Sequence, residues 1–165
     1  MKAFKFIIMG IIATLVISCD REKQSIDIQN VNATIFADTI RYNVEMTPSD
    51  PTDDYAAECI ARLQKTQLLD SIFASIYQHG ARVTRYSNGK EISLDELKTL
   101  EIEDERYARE NVSVLQFTEA WSYDAKALIF NKKVISIHIA YALRDDDGYI
   151  VANRAGFVVQ LNSTD

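Results

Sequence analysis

The sequence predicts an α+β domain, an antiparallel sheet of about four to five strands packed on one face by one long and one short helix. Three observations carry this. Apolar side chains recur at three- and four-residue steps from Tyr55 to Tyr77. Residues 112–161 are rich in β-branched and aromatic side chains, with two short polar breaks. Between these regions, Ser93-Leu94-Asp95-Glu96 has the pattern of a helix start.

In chain order, the run Ile26–Val31 and then Thr34-Ile35-Phe36 lead into the first clear strand. There Ile40, Tyr42, Val44 and Met46 alternate with Arg41, Asn43 and Glu45, the period of a half-buried strand. Thr47-Pro48-Ser49-Asp50-Pro51 breaks it. Asp50 suits an N-cap, Pro51 the first helical position, and Asp53 and Asp54 the positive end of the helix dipole. The stripe Tyr55, Cys59, Ile60, Leu63, Leu68, Leu69, Ile72, Phe73, Ile76 and Tyr77 then predicts a long amphipathic helix with a candidate break at Gln64–Gln67, closed by Gly80. On that stripe, Cys59 reads as a small buried hydrophobe.

Arg82–Tyr86 is a short strand turned by Asn88-Gly89. At Ser93 the hydroxyl and the Glu96 carboxylate form a capping box, with Ile92 and Leu97 at the staple positions, so a short helix covers about 94–100. The charged stretch 101–110 reads as a loop or a further helical turn. Three strand segments follow over 112–123, 127–143 and 149–161, joined as antiparallel neighbours through Asp124-Ala125-Lys126 and Asp145-Asp146-Asp147-Gly148. Within the second, Asn131-Lys132-Lys133 is the candidate bulge.

The N-terminus gives an address. Lys2 and Lys5 precede the apolar run Phe6–Ile17, which is too short to serve as a membrane span and has the layout of a signal peptide over 1–18. Its exit, Val16-Ile17-Ser18-Cys19, resembles the bacterial lipobox. That resemblance implies cleavage before Cys19, fatty acylation of its thiol, and a membrane contact through the N-terminal lipid. Two or three acyl chains give firm attachment at about 0.8 kcal/mol per buried CH₂. The polar residues 19–25 form a tether, and 26–165 a single domain. The implied location is the cell envelope, as a membrane-anchored lipoprotein on the periplasmic or surface face of the outer membrane.

The chain of 165 residues carries a formal charge of −6, and loss of Lys2 and Lys5 makes the mature form more acidic. Such a surface without a basic stripe makes the domain a poor candidate for nucleic acid or for anionic lipid surfaces, and no nucleic-acid partner is expected. Once Cys19 is acylated, Cys59 is the remaining cysteine, so the fold depends on packing and not on an internal disulfide.

From Leu68 onward the order of motifs is similar to a known family. A helix ending His79-Gly80, a short strand to Tyr86, Ile92–Leu97, a charged stretch, Glu119-x-Trp121-x-Tyr123-Asp124, Lys133–Ile137 and a last apolar strand resemble the GldN/PorN family of gliding-motility and type IX secretion components. The shared part runs over roughly 68–161, and the acidic–aromatic motif is its sharpest feature. The resemblance implies an envelope protein that works by contact with other envelope proteins. The lipid site and the short N-terminal part depart from the family, and favour a stand-alone lipoprotein using the same kind of domain.

No catalytic constellation is legible: there is no Gly-x-Ser-x-Gly elbow and no glycine-rich phosphate loop. Asp145-Asp146-Asp147-Gly148 lacks the spacing and final Glu of a calcium loop and reads as a hairpin turn. His138, between Ile137 and Ile139, should point to the opposite face from both, and neither it nor His79 has ligands at metal spacing. The expectation is therefore a non-enzymatic protein without cofactor or metal. Its candidate interaction surface is Glu119, Trp121, Tyr123 and Asp124. Glu119, Trp121 and Tyr123 share a face with Phe117, and that parity predicts that the rings belong to the core. The alternative expectation is a small-ligand or glycan-binding lipoprotein that uses the rings as a platform.

Overall fold

The computed structural model describes residues 34–161. The leader, Cys19, the tether and the run Ile26–Val31 lie outside the described residues. Five strands form one antiparallel sheet in the order β1-β3-β4-β5-β2, where β1 is Thr34–Glu45, β2 Val83–Arg85, β3 Val112–Asp124, β4 Ile129–Arg144 and β5 Ile150–Gln160. Three α-helices accompany it among the described residues: α1 (Asp54–Ile60), α2 (Lys65–Tyr77) and α3 (Leu94–Glu103). Two short 3₁₀ turns, Glu105–Tyr107 and Arg109–Asn111, connect α3 to β3.

The predicted long helix is thus two helices. Gln64-Lys65-Thr66-Gln67 occupies a full helical turn with polar residues, so the apolar stripe slips in phase between Leu63 and Leu68. A turn through Leu63, whose amide donates to the Ile60 carbonyl at 2.9 Å, restores that phase. The entry also shifts. Asp53, not Asp50, caps α1 by accepting the Ala56 amide, while Asp50 accepts the Thr52 amide and hydroxyl in the preceding turn. No residue of α1 is buried, and Cys59 is exposed, against the expectation of a core thiol.

α2 supplies the main packing surface. Leu69, Ile72, Phe73 and Ile76 meet Leu97 of α3 and, on the sheet, Val112, Leu115, Ile137, Ile139, Tyr141, Phe157 and Val159. Each such fully buried side chain contributes about 1.5–3 kcal/mol. Arg109 ties the layer together. It bonds Glu101 and Asp70 (2.8 Å to the latter), and its guanidinium lies 4.2 Å from the Phe73 ring centroid. Tyr77 completes the link by donating to Glu101 at 2.7 Å.

α3 begins at Ser93, whose hydroxyl accepts the Glu96 amide at 3.2 Å, with Ile92 and Leu97 buried beside it. The reciprocal half of the capping box is replaced, because Glu96 pairs with Arg85 of β2. α3 also runs past the predicted end, to Glu103.

In β4 the bulge lies at Ile135: Thr118 pairs with Ser136 and Glu119 with Val134, leaving one extra residue between. It sits just past the Asn131-Lys132-Lys133 position read from the sequence. A second irregularity, between His138/Val158 and Ala140/Ala155, includes Gly156, where a Cβ would stand 2.6 Å from the Tyr141 ring and 2.7 Å from the Ile139 carbonyl oxygen.

Candidate functional site

The sheet is longer than the helical layer that covers it. The core reaches Phe117 and, one row farther along, Val134 opposite Glu119, and β1, β3 and β4 continue beyond it as a three-stranded arm. From Thr118 to the hairpin at Asp124 that arm extends about 20 Å at about 3.3 Å per residue.

Strand alternation puts Phe117, Glu119, Trp121 and Tyr123 on the helix-side face. Pairing sets Tyr42, Ile40 and Ala37 of β1 opposite Phe117, Glu119 and Trp121. It sets Val134, Lys132 and Phe130 of β4 opposite Glu119, Trp121 and Tyr123. The result is a strip of rings. Phe36 and Tyr123 have centroids 6.4 Å apart, Tyr123 and Phe130 6.5 Å, and Phe130 meets Trp121 edge-on at 5.5 Å. Farther along, Tyr42 stacks on Phe117 at 5.7 Å, while Lys132 Nζ lies 4.7 Å over the indole.

Glu119 organises this strip. Its side chain is only 3% exposed, yet both carboxylate oxygens have partners. Tyr42 donates its hydroxyl to Oε1 at 2.7 Å and Trp121 donates Nε1–H to Oε2 at 2.8 Å. The bond to Glu119, then burial, then the nearby negative charge push the Tyr42 phenol up to about 12. The carboxylate therefore fixes two rings, of which Tyr42 stays partly exposed and Trp121 half-buried, a charge-assisted arrangement in a partly dry setting.

Trp121 and Tyr123 are half-buried and lie outside the core cluster, against the expectation that their parity with Phe117 would bury them. Parity was read correctly, but the core cluster ends at Phe117 and Val134, short of the Trp121 row. Asp124 is separated from the other three. It sits on the opposite face, buried, and its Oδ1 accepts the Lys126 and Ala127 amides at 2.9 and 3.0 Å, holding the β3–β4 turn. The partners Phe36, Tyr42, Phe130 and Lys132 were not singled out as site residues from the sequence. Tyr42 was visible in the β1 alternation, whereas the bulge at Ile135 hid Phe130 and Lys132.

The open face of the sheet carries a second, shallower feature. Asn43, Tyr86, Gln116, His138 and Asn153 line a depression of about 250 Å³. Gln116 donates to Asn43 at 2.9 Å, and the Ser113 hydroxyl donates to the Asn153 side-chain oxygen at 2.6 Å. His138 stands on this face, as its place between Ile137 and Ile139 requires, with its ring stacked on Tyr86 at 3.9 Å. Burial lowers its pKa.

The Asp145–Gly148 segment is a hairpin turn in which Asp145 accepts the Tyr149 amide at 2.8 Å and Gly148 takes a φ of +88°. Among the described residues, no group of three or more His, Cys, Asp or Glu side chains is placed to hold a metal ion. None of the described helices is long and apolar enough to cross a membrane. No family model matches the chain, and no curated protein matches it.

Proposed function

We propose that this chain is a lipid-anchored cell-envelope protein, held through Cys19, whose domain acts by binding another envelope protein and not by catalysis. The carrying observation is the arm. Its rings project beyond the helical layer, and the buried Glu119 holds two of them in place. Rigid aromatic side chains give large contact area at low conformational cost, which is why they dominate the energetics of protein interfaces. Fixing Tyr42 and Trp121 before contact lowers the ordering cost of binding. The lipobox-like Val16–Cys19 supports the envelope setting. The likeness to the GldN/PorN family supports a contact role, as a stand-alone lipoprotein on the outer membrane.

The test is a photo-cross-linking residue substituted for Tyr42 in intact cells. One envelope protein should be captured, and Trp121→Ala should abolish capture while the purified domain stays folded. Capture of the same protein from a cross-linker at Asn153, on the open face, would overturn the assignment to the arm.

A second reading rests on the open face. The carboxamides of Asn43, Gln116 and Asn153 beside the Tyr86–His138 stack combine polar groups with a ring, as a site for a small polar ligand or glycan does. Glycan-array binding that is lost in Asn153→Leu and kept in Trp121→Ala would favour it over the first.

A further inference from the structure

The end of the arm differs from the rest of the molecule. At the β3–β4 hairpin, Leu128, Ile129 and Phe130 are consecutive exposed apolar residues, Leu128 at 77%, and Leu128 holds a left-handed φ of +57° that an L residue rarely adopts. Beside them, Ile35 and Phe36 of β1 are also exposed, Phe36 at 66%. The basic residues of this end are Lys126, Lys132 and Lys133, a local excess over the carboxylates of Asp38 and Asp124 in an otherwise acidic domain.

The chain enters the domain at this same end, because Thr34 pairs with Tyr123, one residue from the close of β3. Between Cys19 and Thr34 lie about 14 residues, which span at most about 50 Å when fully extended. The opposite end carries the reverse charge. Asp145, Asp146 and Asp147 form the β4–β5 turn, and Asp50, Asp53 and Asp54 stand in the segment bound to it through the Ile150 amide and the Ser49 carbonyl, 2.9 Å apart.

We infer that the hairpin tip seats in the membrane surface to which Cys19 is attached. On this assignment Leu128, Ile129 and Phe36 enter the boundary between headgroups and acyl chains. Lys126 and Lys132 meet anionic phospholipid headgroups, and the acidic end points away. Apolar side chains flanked by lysines are the composition that partitions into this boundary. A lipid at the N-terminus keeps the tip close to the bilayer, so a weak contact suffices to orient the domain. The inference rests on acylation of Cys19, and it stands the strip around Glu119 upright, where a neighbouring envelope protein can reach it.

The test places a single indole at the tip, as Leu128→Trp with Trp121→Phe, in mature protein purified from membranes. The protein is reconstituted in phosphatidylcholine–phosphatidylglycerol vesicles with brominated acyl chains. Bromines should quench the tip indole about twofold or more, since interfacial side chains sit roughly 5–10 Å into this boundary. An indole at the far turn, Tyr149→Trp with Trp121→Phe, should keep its emission. Adding Ile129→Asp should relieve the tip quenching without altering the melt. Acylation of Cys19 is read separately from the protein mass. Acylated, vesicle-bound protein with an unquenched tip, or with both indoles equally quenched, overturns the tip assignment and leaves the anchor intact. Unacylated protein whose tip is still quenched overturns the anchor and retains the tip, and unacylated protein with no quenching overturns both.

Discussion

Glu119→Gln tests whether the carboxylate is what holds the arm in order. The substitution keeps the shape of the side chain but leaves one acceptor oxygen for two donors. The Trp121 N–H can keep the oxygen, and the Tyr42 hydroxyl must then rotate to accept from the new amide. Bonds to a charged group contribute about 1.5–3 kcal/mol each and neutral ones about 0.5–1.5 kcal/mol, so the exchange loses about 2–3 kcal/mol over the pair. Relief from burying a carboxylate returns part of this, for a net loss of about 1–2 kcal/mol.

The phenol gives a second readout. Its rise from 10.0 to about 12 corresponds to about 2.7 kcal/mol before screening. Because 37% of Tyr42 is exposed, solvent screening leaves about 1 kcal/mol. The sign follows from proton binding. Between pH 10 and about 12 the folded state retains a proton that the unfolded state has released, so this stabilisation is complete below pH 10 and is lost as pH rises through that window. Phenolate absorbance should show one tyrosine of the eight moving back toward pH 10 in Glu119→Gln, against a background of Tyr77 and Tyr141, which burial keeps late in both proteins. A titration that overlays the wild type, or a variant more stable by over about 1 kcal/mol, would refute the role assigned to Glu119.

Other expectations can be read from folding and titration. Ile76→Ala, at a fully buried α2 position, should cost about 2–5 kcal/mol, whereas Ser93→Ala should cost about 1 kcal/mol by removing the α3 cap; urea melts that reverse this order would contradict the placing of the core. Gly156→Ala drives a methyl into the Tyr141 ring and the Ile139 carbonyl and should cost about 1–3 kcal/mol, with a matching fall in thermal midpoint as the check. His138 takes up a proton less readily folded than unfolded because burial lowers its pKa from 6.5, so stability should fall as pH drops through about 6.5; His138→Gln should flatten that limb of the pH–stability curve, and an unchanged slope would mean that another group sets it.

Much of the fold was legible because local chemistry and long-range packing agree. The alternation that ends in Val44 and Met46, the Ser93 cap with its Ile92–Leu97 staple, and the two acidic breaks around β4 each specify one local structure, and the five-stranded sheet uses all of them. The candidate break in the long helix lay close to the true one, at 61–64, with Lys65–Gln67 already in α2: the polar residues mark where the apolar stripe changes phase, not where the turn sits. Cys59 failed: an apolar stripe shows that a helix has a face, not that anything covers it. The same gap limited the candidate site. Alternation grouped Glu119, Trp121 and Tyr123 correctly, but whether helices reach their row depends on where α2 sits over the sheet, which no neighbouring residue encodes.

The bulge at Ile135 is the clearest case of a feature that sequence period conceals. Ile137, Ile139 and Tyr141 face the helices at odd positions, whereas Phe130, Lys132 and Val134 face the same side at even ones. Ile135 takes no ladder position, so the side that faces the helices passes from odd numbers to even ones across it; were Ile135 paired in a continuous ladder, Phe130 and Lys132 would turn to the open face and leave Trp121. Deletion of Ile135 should therefore leave a regular ladder with the same partners, Ser136 opposite Thr118 and Val134 opposite Glu119, and keep the edge-on ring contact and the cation over the indole, together about 1–2.5 kcal/mol. Trp121 emission and its access to iodide should match the wild type in the deletion, as in Ile135→Ala. A deletion whose Trp121 emission shifts to the red and opens to iodide would show that the local bend at the bulge, and not the pairing, sets the composition of the strip.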